Sequence, residues 1–480
     1  MRYLFKGGLV VDPALGLEER LDVLIAGGKV AAVAKNLEAR AEELSDLPGD
    51  GDPDSGLTVI DVTGKVVAPG LIDMHVHLRE PGREDEETIY TGTRAAARGG
   101  FTSMVAMANT SPVADNGAVV SFVRKKARQV GLVNVYPAGA VTKGQKGEEL
   151  AEIGELAGAG AVALSDDGQP VANAGLMRRA LEYAGPFNLP LIVHAEDKDL
   201  AGDGVMHEGF VSFKLGLKGI PAAAEEVMVA RDLLLAEMTG GRLHIAHVST
   251  AGTVELIRQA KKRGVRVTAE ATPHHFTLTD EAVYGYNTNA KVSPPLRTAQ
   301  DVAAVRAGLK DGTLDVIATD HAPHTQEEKA VEFDLAPPGM VGLETAVSLV
   351  LTELVATGML SLQEAIAKLT VNPARILGLA AGTLQVGSVA DLTILDLEKN
   401  WVVDTRKFVS KSRNSRFEGR RLKGMPVLTM VGGKVVARDG VIVEGAGAAE
   451  DWGAAEDWGA AKDWEAAEDR EASRNGVVYG

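Results

Sequence analysis

Eight short apolar segments recur between residues 71 and 319, and their spacing constrains the fold more than any other feature of the chain. They lie at 71–77, 102–107, 133–138, 161–164, 190–194, 243–247, 265–270 and 315–319. Each has strand length and is nearly continuous in hydrophobicity, as expected of parallel strands covered on both faces. Stretches with helical periodicity fall between most of them, such as Thr88 to Arg98, Gly117 to Val130, Leu176 to Ala184, Ala222 to Met238 and Thr253 to Arg263. Eight β/α units in about 300 residues predict an α/β chain folded as a TIM (β/α)8 barrel, with a doubly wound open sheet as the alternative.

Strand signals also stand outside this series. They run from Tyr3 to Val11, Leu21 to Ile25, Lys29 to Val33, Thr58 to Val62 and Lys65 to Val67, with Gly27-Gly28 as a hairpin signal. Similar signals return at Asp391 to Leu395, Pro426 to Val431 and Lys434 to Val436. The two ends are therefore expected to build one small β domain, residues 1–67 and 380–445, beside a barrel domain at 68–379. Residues 38–56 read as an acidic loop. Residues 446–480 read as a low-complexity tail, in which Glu450-Asp451-Trp452-Gly453 and Glu456-Asp457-Trp458-Gly459 repeat with a period of six.

The formal charge of −16 sits mostly in these spacers. Segments 38–56 and 445–480 each carry a net −6, leaving only −4 elsewhere. An acidic chain without a basic patch argues against nucleic-acid binding. The absence of cysteine excludes thiolate ligands and disulfides, so any metal must be held by His, Asp or Glu. No apolar run is long enough to span a membrane, and Met1 to Lys6 lacks the apolar core of a signal peptide, so the expected location is the cytoplasm.

The polar residues of the barrel segments cluster at one end of each strand. His75 and His77 close the first strand, two apart and hence on the same face. Arg79, two further on, is expected on that face too. Asn109 follows the second strand, Asp166 and Asp167 follow the fourth, His194 ends the fifth, His247 ends the sixth and Asp320 ends the eighth. In a TIM barrel these C-terminal ends converge on one mouth. A lone histidine on an apolar strand is ordinarily a satisfied core residue; four at strand ends are a metal-binding pattern. The set exceeds the three protein ligands of a single catalytic zinc and suits a two-metal site. Zinc is the first expectation, and manganese or cobalt suit the same donors. His207, His244, His274 and His275 fit the pattern less well and read as structural or surface residues.

With these residues in place, the chain resembles the dihydroorotases of the amidohydrolase superfamily, in the class whose two metals are bridged by aspartate. The motifs are His75-Val76-His77-Leu78-Arg79-Glu80-Pro81-Gly82, Met107-Ala108-Asn109-Thr110, Ser165-Asp166-Asp167-Gly168, His194-Ala195-Glu196-Asp197, His247-Val248-Ser249-Thr250, Ser293-Pro294-Pro295-Leu296-Arg297 and Thr319-Asp320-His321-Ala322-Pro323-His324. The similarity runs over about residues 1–437, apart from 38–56. It implies two zinc ions per subunit, one on His75, His77 and Asp320, the other on His194 and His247, with Asp167 between them. It implies Asp320 as proton shuttle, and Arg79, Asn109 and His324 as the grip on a substrate carboxylate. Ser293, Pro338 and Gly339 complete the implied substrate-binding set. The chain departs from the family pattern at Ala108, where proline is usual, and at Ser293, where asparagine is usual; the shorter serine hydroxyl would act through a water.

The implied reaction is the reversible cyclisation of N-carbamoyl-L-aspartate to (S)-dihydroorotate in de novo pyrimidine (UMP) biosynthesis, with a metal-bridging hydroxide attacking the ring amide in the hydrolytic direction. The partner is then a small-molecule substrate, and both a homodimer and a complex with aspartate carbamoyltransferase are compatible with the resemblance. The nearest rival is a hydantoinase, dihydropyrimidinase or allantoinase, which bridge their metals with a carboxylated lysine after the fourth strand. Residues 147–197 contain no lysine, and Lys143 and Lys146 follow the third strand. A rival of another kind is an inactive scaffold for the transferase, which would need no metal ligands.

Overall fold

All eight apolar segments form strands in a computed structural model that describes residues 2–38 and 56–443. The acidic loop, apart from its edges, and the 446–480 tail lie outside the described residues. The barrel strands are Leu71–Val76, Phe101–Ala106, Asn134–Gly139, Ala163–Ser165, Leu191–Val193, Leu243–Ile245, Val267–Ala271 and Val316–Ile317. They stand side by side in sequence order, and every pairing is parallel. The ring closes through a parallel bridge between Val76 and His321, where His77 N donates to His321 O at 2.9 Å. Asp73 staples the same seam: Oδ1 accepts from Thr319 N at 3.1 Å and Oδ2 from Thr319 Oγ1 at 2.5 Å. The closed barrel is the predicted architecture, and the open sheet is excluded.

The two-residue period of the strands sorts their side chains into two cores. Ile72, Met74, Val105, Ala138, Ala163, Ile192 and Val316 share one buried cluster. Leu71, Val76, Phe101 and Met104 join the larger cluster formed with helix residues such as Ala95, Val120 and Leu181. The helices start where the sequence supplies a cap. Thr88 accepts from Thr91 N ahead of Ile89–Arg98, Asn116 from Ala118 N ahead of Gly117–Val130, and Thr250 from Thr253 N ahead of Ala251–Lys262.

The chain ends build a second sheet. In spatial order it runs Val441–Ile442, Lys434–Arg438, Arg421–Val431, Leu392–Val402, Val66–Pro69, Arg2–Asp12, Leu17–Ala26 and Lys29–Ala34, with Leu57–Asp61 pairing to Arg2–Asp12. Phe5, Val23, Ile25, Val67, Leu392 and Met430 form its core. Gly70 joins this sheet to the first barrel strand at a point with no room for a side chain, since a Cβ there would lie 2.1 Å from Thr102 Oγ1. Residues 410–414, within the 380–445 segment, hydrogen-bond to loops at the C-terminal end of the barrel through Ser410, Ser412 and Asn414. No helix among the described residues is long and apolar enough to cross a membrane.

Candidate metal and substrate site

The barrel mouth brings together the six predicted ligands, all of them buried. Asp167 stands at their centre. Its Oδ1 lies 3.3 Å from His75 Nε2, 3.6 Å from His247 Nε2 and 3.9 Å from His194 Nδ1, while Oδ2 lies 3.3 Å from His77 Nε2. Asp320 Oδ1 lies 3.1 Å from His77 Nε2 and 3.5 Å from His75 Nε2. Among these six ligands, two groups have all donor atoms within 4.8 Å of one another: His75, Asp167 and His247, and His75, His77 and Asp320. His75 thus belongs to both. His194 stands outside these two groups, tied to the cluster by its Nδ1, 2.9 Å from His247 Nε2.

This arrangement leaves polar atoms unsatisfied. His75 Nε2 and Asp167 Oδ1 are buried without a hydrogen-bond partner, as is His247 Nδ1. Leaving such atoms unpaired costs about 1–3 kcal/mol each. Imidazole and carboxylate atoms converging in this way fit a divalent cation. The electrostatics agree in direction. Burial works against charge on His75, yet Asp167, Glu270 and Asp320 hold its pKa well above the ordinary value. Burial likewise opposes charge on Asp167 and Asp320, and the neighbouring imidazoles, led by His75, hold both below the usual carboxylate range. Burial and the adjacent His247 push His194 down to about 4.

Side chains behind the ligands fix their orientation. His75 Nδ1 meets Glu270 Oε1 at 2.6 Å, and Glu270 Oε2 lies 3.1 Å from His244 Nε2. His77 Nδ1 lies 2.9 Å from Asn109 Oδ1. Asn109 is therefore bonded to a ligand through its oxygen, and only its amide nitrogen is left for a substrate. Asp166 turns away from the ligands: its Oδ1 accepts from Val141 N at 2.8 Å and Thr142 N at 3.1 Å. Of two adjacent aspartates, one faces the imidazoles and the other ties down the loop after the third strand.

A second group of polar residues lies beside the ligands. Arg79 was expected to follow the strand alternation, but the strand ends at Val76 and Arg79 adopts φ +59°. Its direction comes from this left-handed turn. Its Nε donates to Pro323 O at 3.2 Å, and Nη2 lies 3.4 Å from His324 Nε2. His324 Nε2 also lies 3.0 Å from Pro338 O, and Gly339, at φ +142°, follows. Asn414 binds this corner together: Nδ2 donates to Ala322 O and Gly339 O at 3.0 and 3.1 Å, and Oδ1 accepts from His324 N. Ser293 is half-buried on the adjoining loop, whose Pro294 O lies 3.0 Å from His275 Nε2. His247 and Asp320 also have positive φ, 34° and 47°. Such backbone is costly outside glycine and clusters at functional sites.

The four histidines left aside are all buried, so none is a surface residue. His207 supports Arg297, His244 supports Glu270 and His275 supports the Pro294 loop. His274 is different: its Nε2 is buried without a partner, and burial lowers its pKa to about 4. Glu270 and Asn414 were also missed. Glu270 had a signal, a single acid inside the buried strand Val267–Ala271. Asn414 had none, being remote in sequence from the loops it joins.

A family model described as dihydro-orotase-like matches residues 64–253. A protein named dihydroorotase from Pelotomaculum thermopropionicum is 64% identical over 442 residues, covering 92% of this chain and all of that one. A dihydroorotase from Acetivibrio thermocellus is 55% identical over 92% of this chain and 100% of its own length. Among solved structures, the L-hydantoinase (dihydropyrimidinase) of Arthrobacter aurescens superposes with a TM-score of 0.80 at 29% identity, covering 92% of this chain and 97% of that one. The dihydropyrimidinase of Brevibacillus agri gives 0.80 at 25% identity, over 93% and 97%.

Proposed function

The chain belongs to the dihydroorotase family, and from that premise we propose that it is a zinc-dependent cyclic amide hydrolase. It interconverts N-carbamoyl-L-aspartate and (S)-dihydroorotate in pyrimidine synthesis. The observation that carries the metal assignment is Asp167, one carboxylate facing all four imidazoles within 3.3–3.9 Å. Its position after the fourth strand is where hydantoinase-type sites use a carboxylated lysine, and this segment has none. His75, His77 and Asp320 would hold one zinc and His194 and His247 the other, sharing Asp167. Bound zinc ions polarise the scissile carbonyl and lower the pKa of water.

The chain's own residues do the rest. Arg79, Asn109 through its amide nitrogen, and His324 donate to the substrate carboxylate; a guanidinium suits that role because it presents parallel N–H groups. The backbone at Pro338 and Gly339, and Ser293 through a water, line the ring. Asp320 holds the transferred proton on Oδ2, which accepts no hydrogen bond among the described residues while Oδ1 faces His77. In the hydrolytic direction that proton passes to the leaving nitrogen. The barrel unit proposed for this chemistry spans 68–379, completed by Asn414 from the C-terminal segment.

The test is turnover of N-carbamoyl-L-aspartate and dihydroorotate by purified protein, with metal analysis of the same sample. The expected result is interconversion of both, two metal equivalents per chain, loss of both on chelation and recovery with zinc. Turnover of neutral rings without dihydroorotate would replace this reading with a hydantoinase.

A further inference from the structure

Glu86 lies in the run Arg83-Glu84-Asp85-Glu86-Glu87, which reads as a solvated acidic turn. Its side chain is only 1% exposed. Oε1 accepts from His324 Nδ1 and from Arg83 Nη2, each at 2.8 Å, and Oε2 lies 2.9 Å from Arg79 Nε. One carboxylate therefore touches both cationic-type donors assigned above to the substrate carboxylate. Ser412 Oγ donates to Glu86 O at 2.7 Å and fixes its backbone from the C-terminal segment.

We propose that Glu86 is a positioning residue for substrate specificity, holding Arg79 and His324 in the geometry that receives a carboxylate. The proposal rests on the assignment of those two donors. The physical argument has three parts. Arginine has many rotamers, and the hydrogen bond from Nε to Pro323 O together with the ion pair to Glu86 Oε2, which accepts no hydrogen bond of its own, hold the Nε edge and remove entropy that binding would otherwise cost. Nη1 of Arg79 has no hydrogen-bond partner among the described residues and Nη2 has only His324 Nε2 at 3.4 Å, so the edge still has N–H groups to offer a ligand. Second, a carboxylate on His324 Nδ1 sets the ring plane, holds a hydrogen on that nitrogen and favours the imidazolium, the form in which Nε2 also carries a hydrogen for a ligand, against the burial that lowers the ring's pKa. Third, Arg83 pairs with Glu86 and Glu328 from the outside, so the buried carboxylate does not cancel Arg79 alone.

The experiment compares dihydroorotate with dihydrouracil, which lacks the carboxylate, for wild type, Arg79→Met, Glu86→Gln and Glu86→Asp. The ratio of the two kcat/KM values in one preparation cancels the active fraction, so partial unfolding cannot imitate the effect. Glu86→Gln keeps the shape and is expected to raise KM for dihydroorotate about tenfold, with kcat within roughly threefold, and to lower the ratio about tenfold. Glu86→Asp retains the charge and is expected to fall between Gln and wild type. A purely structural role would move both substrates alike. If wild type shows no preference, or Arg79→Met keeps it, carboxylate recognition fails and the proposal falls with it. If wild type and Arg79→Met behave as expected but both Glu86 variants keep the wild-type ratio, only the role of Glu86 is overturned.

Discussion

Glu270 Oε1 stands 2.6 Å from His75 Nδ1, with both side chains wholly inside the barrel. The chain of contacts continues through Glu270 Oε2 to His244 Nε2 at 3.1 Å and from His244 Nδ1 to Thr268 Oγ1 at 2.8 Å. A carboxylate in this place keeps a hydrogen on Nδ1 of His75, so that the proton a metal ion would displace is the one on Nε2, the nitrogen facing Asp167 and Asp320. Burial opposes the charge on Glu270, yet His75 and His244 lower its pKa to about 2. The acid is thus ionised at any working pH and acts as a fixed support.

Replacing Glu270 with glutamine is expected to weaken metal binding by about 10- to 100-fold, the usual effect of losing a carboxylate behind a ligating histidine. Competition with a chelator of known affinity measures this directly, before any assay of turnover. Unchanged metal affinity in a folded Glu270→Gln protein would remove Glu270 from the site.

The two adjacent aspartates should separate cleanly. Asp167→Ala removes the carboxylate that faces four imidazoles and is expected to abolish both metal retention and activity. Asp166→Ala removes acceptors for Val141 N and Thr142 N and should cost about 1–3 kcal/mol of stability while metal stays bound. Metal content and melting temperature of both variants check this. An active, fully metallated Asp167→Ala protein would sink the two-metal reading.

The barrel was legible because its strands are apolar on both faces, and the ligands because they stand at the ends of those strands. Each strand was located within about three residues of its observed span. What escaped lay where distant segments meet. Asn414 closes the corner between Ala322 and Gly339 from 92 and 75 residues away in sequence, which no local pattern reveals. Glu86 was hidden in an acidic run whose composition suggests solvent, because burial was decided by Arg79 seven residues earlier in the same loop and by His324 from a distant one. The strands Leu392–Val402 and Arg421–Val431 were read too short, since a register shift between Asp396 and Asn400 breaks their alternation with polar residues. The direction of Arg79 could not follow from strand periodicity, because a left-handed residue sets it.

Residues 446–480 carry a polar, acidic repeat with too little apolar surface for a core. A chain ending at Gly445 is expected to melt within about 2 °C of the full chain and to turn over substrate within about twofold. Differential scanning calorimetry and the dihydroorotate assay decide it. A large loss in either would show that the tail takes part in folding or assembly.

The loop that carries Pro338 and Gly339 is held by two buried lysines, and this gives stability a dependence on pH. Lys329 Nζ donates to Pro337 O at 2.7 Å, and Lys291 Nζ donates to Phe333 O and Asp334 O at 2.8 and 2.9 Å. Carbonyl groups receive both ammonium groups. Burial, then the neighbouring Lys291, lowers the pKa of Lys329 to about 7, against a partial opposing effect of Glu328. In the unfolded chain the value returns to 10.5. Between these two values the unfolded state binds more protons than the folded one, so the Lys329 contribution to stability rises with pH. Below pH 7 both states are protonated, and the cost of burying the charge is felt in full. Lys329→Met has no such titration. Wild type should therefore gain on the variant between pH 7 and pH 9, by at least about 1 kcal/mol against a ceiling of roughly 1.4 kcal/mol per pH unit. Urea unfolding of both proteins at pH 7, 8 and 9 measures the difference. A gap that stays constant across this range would mean that Lys329 keeps an ordinary pKa in the fold and that the loop is anchored by a fully charged ammonium.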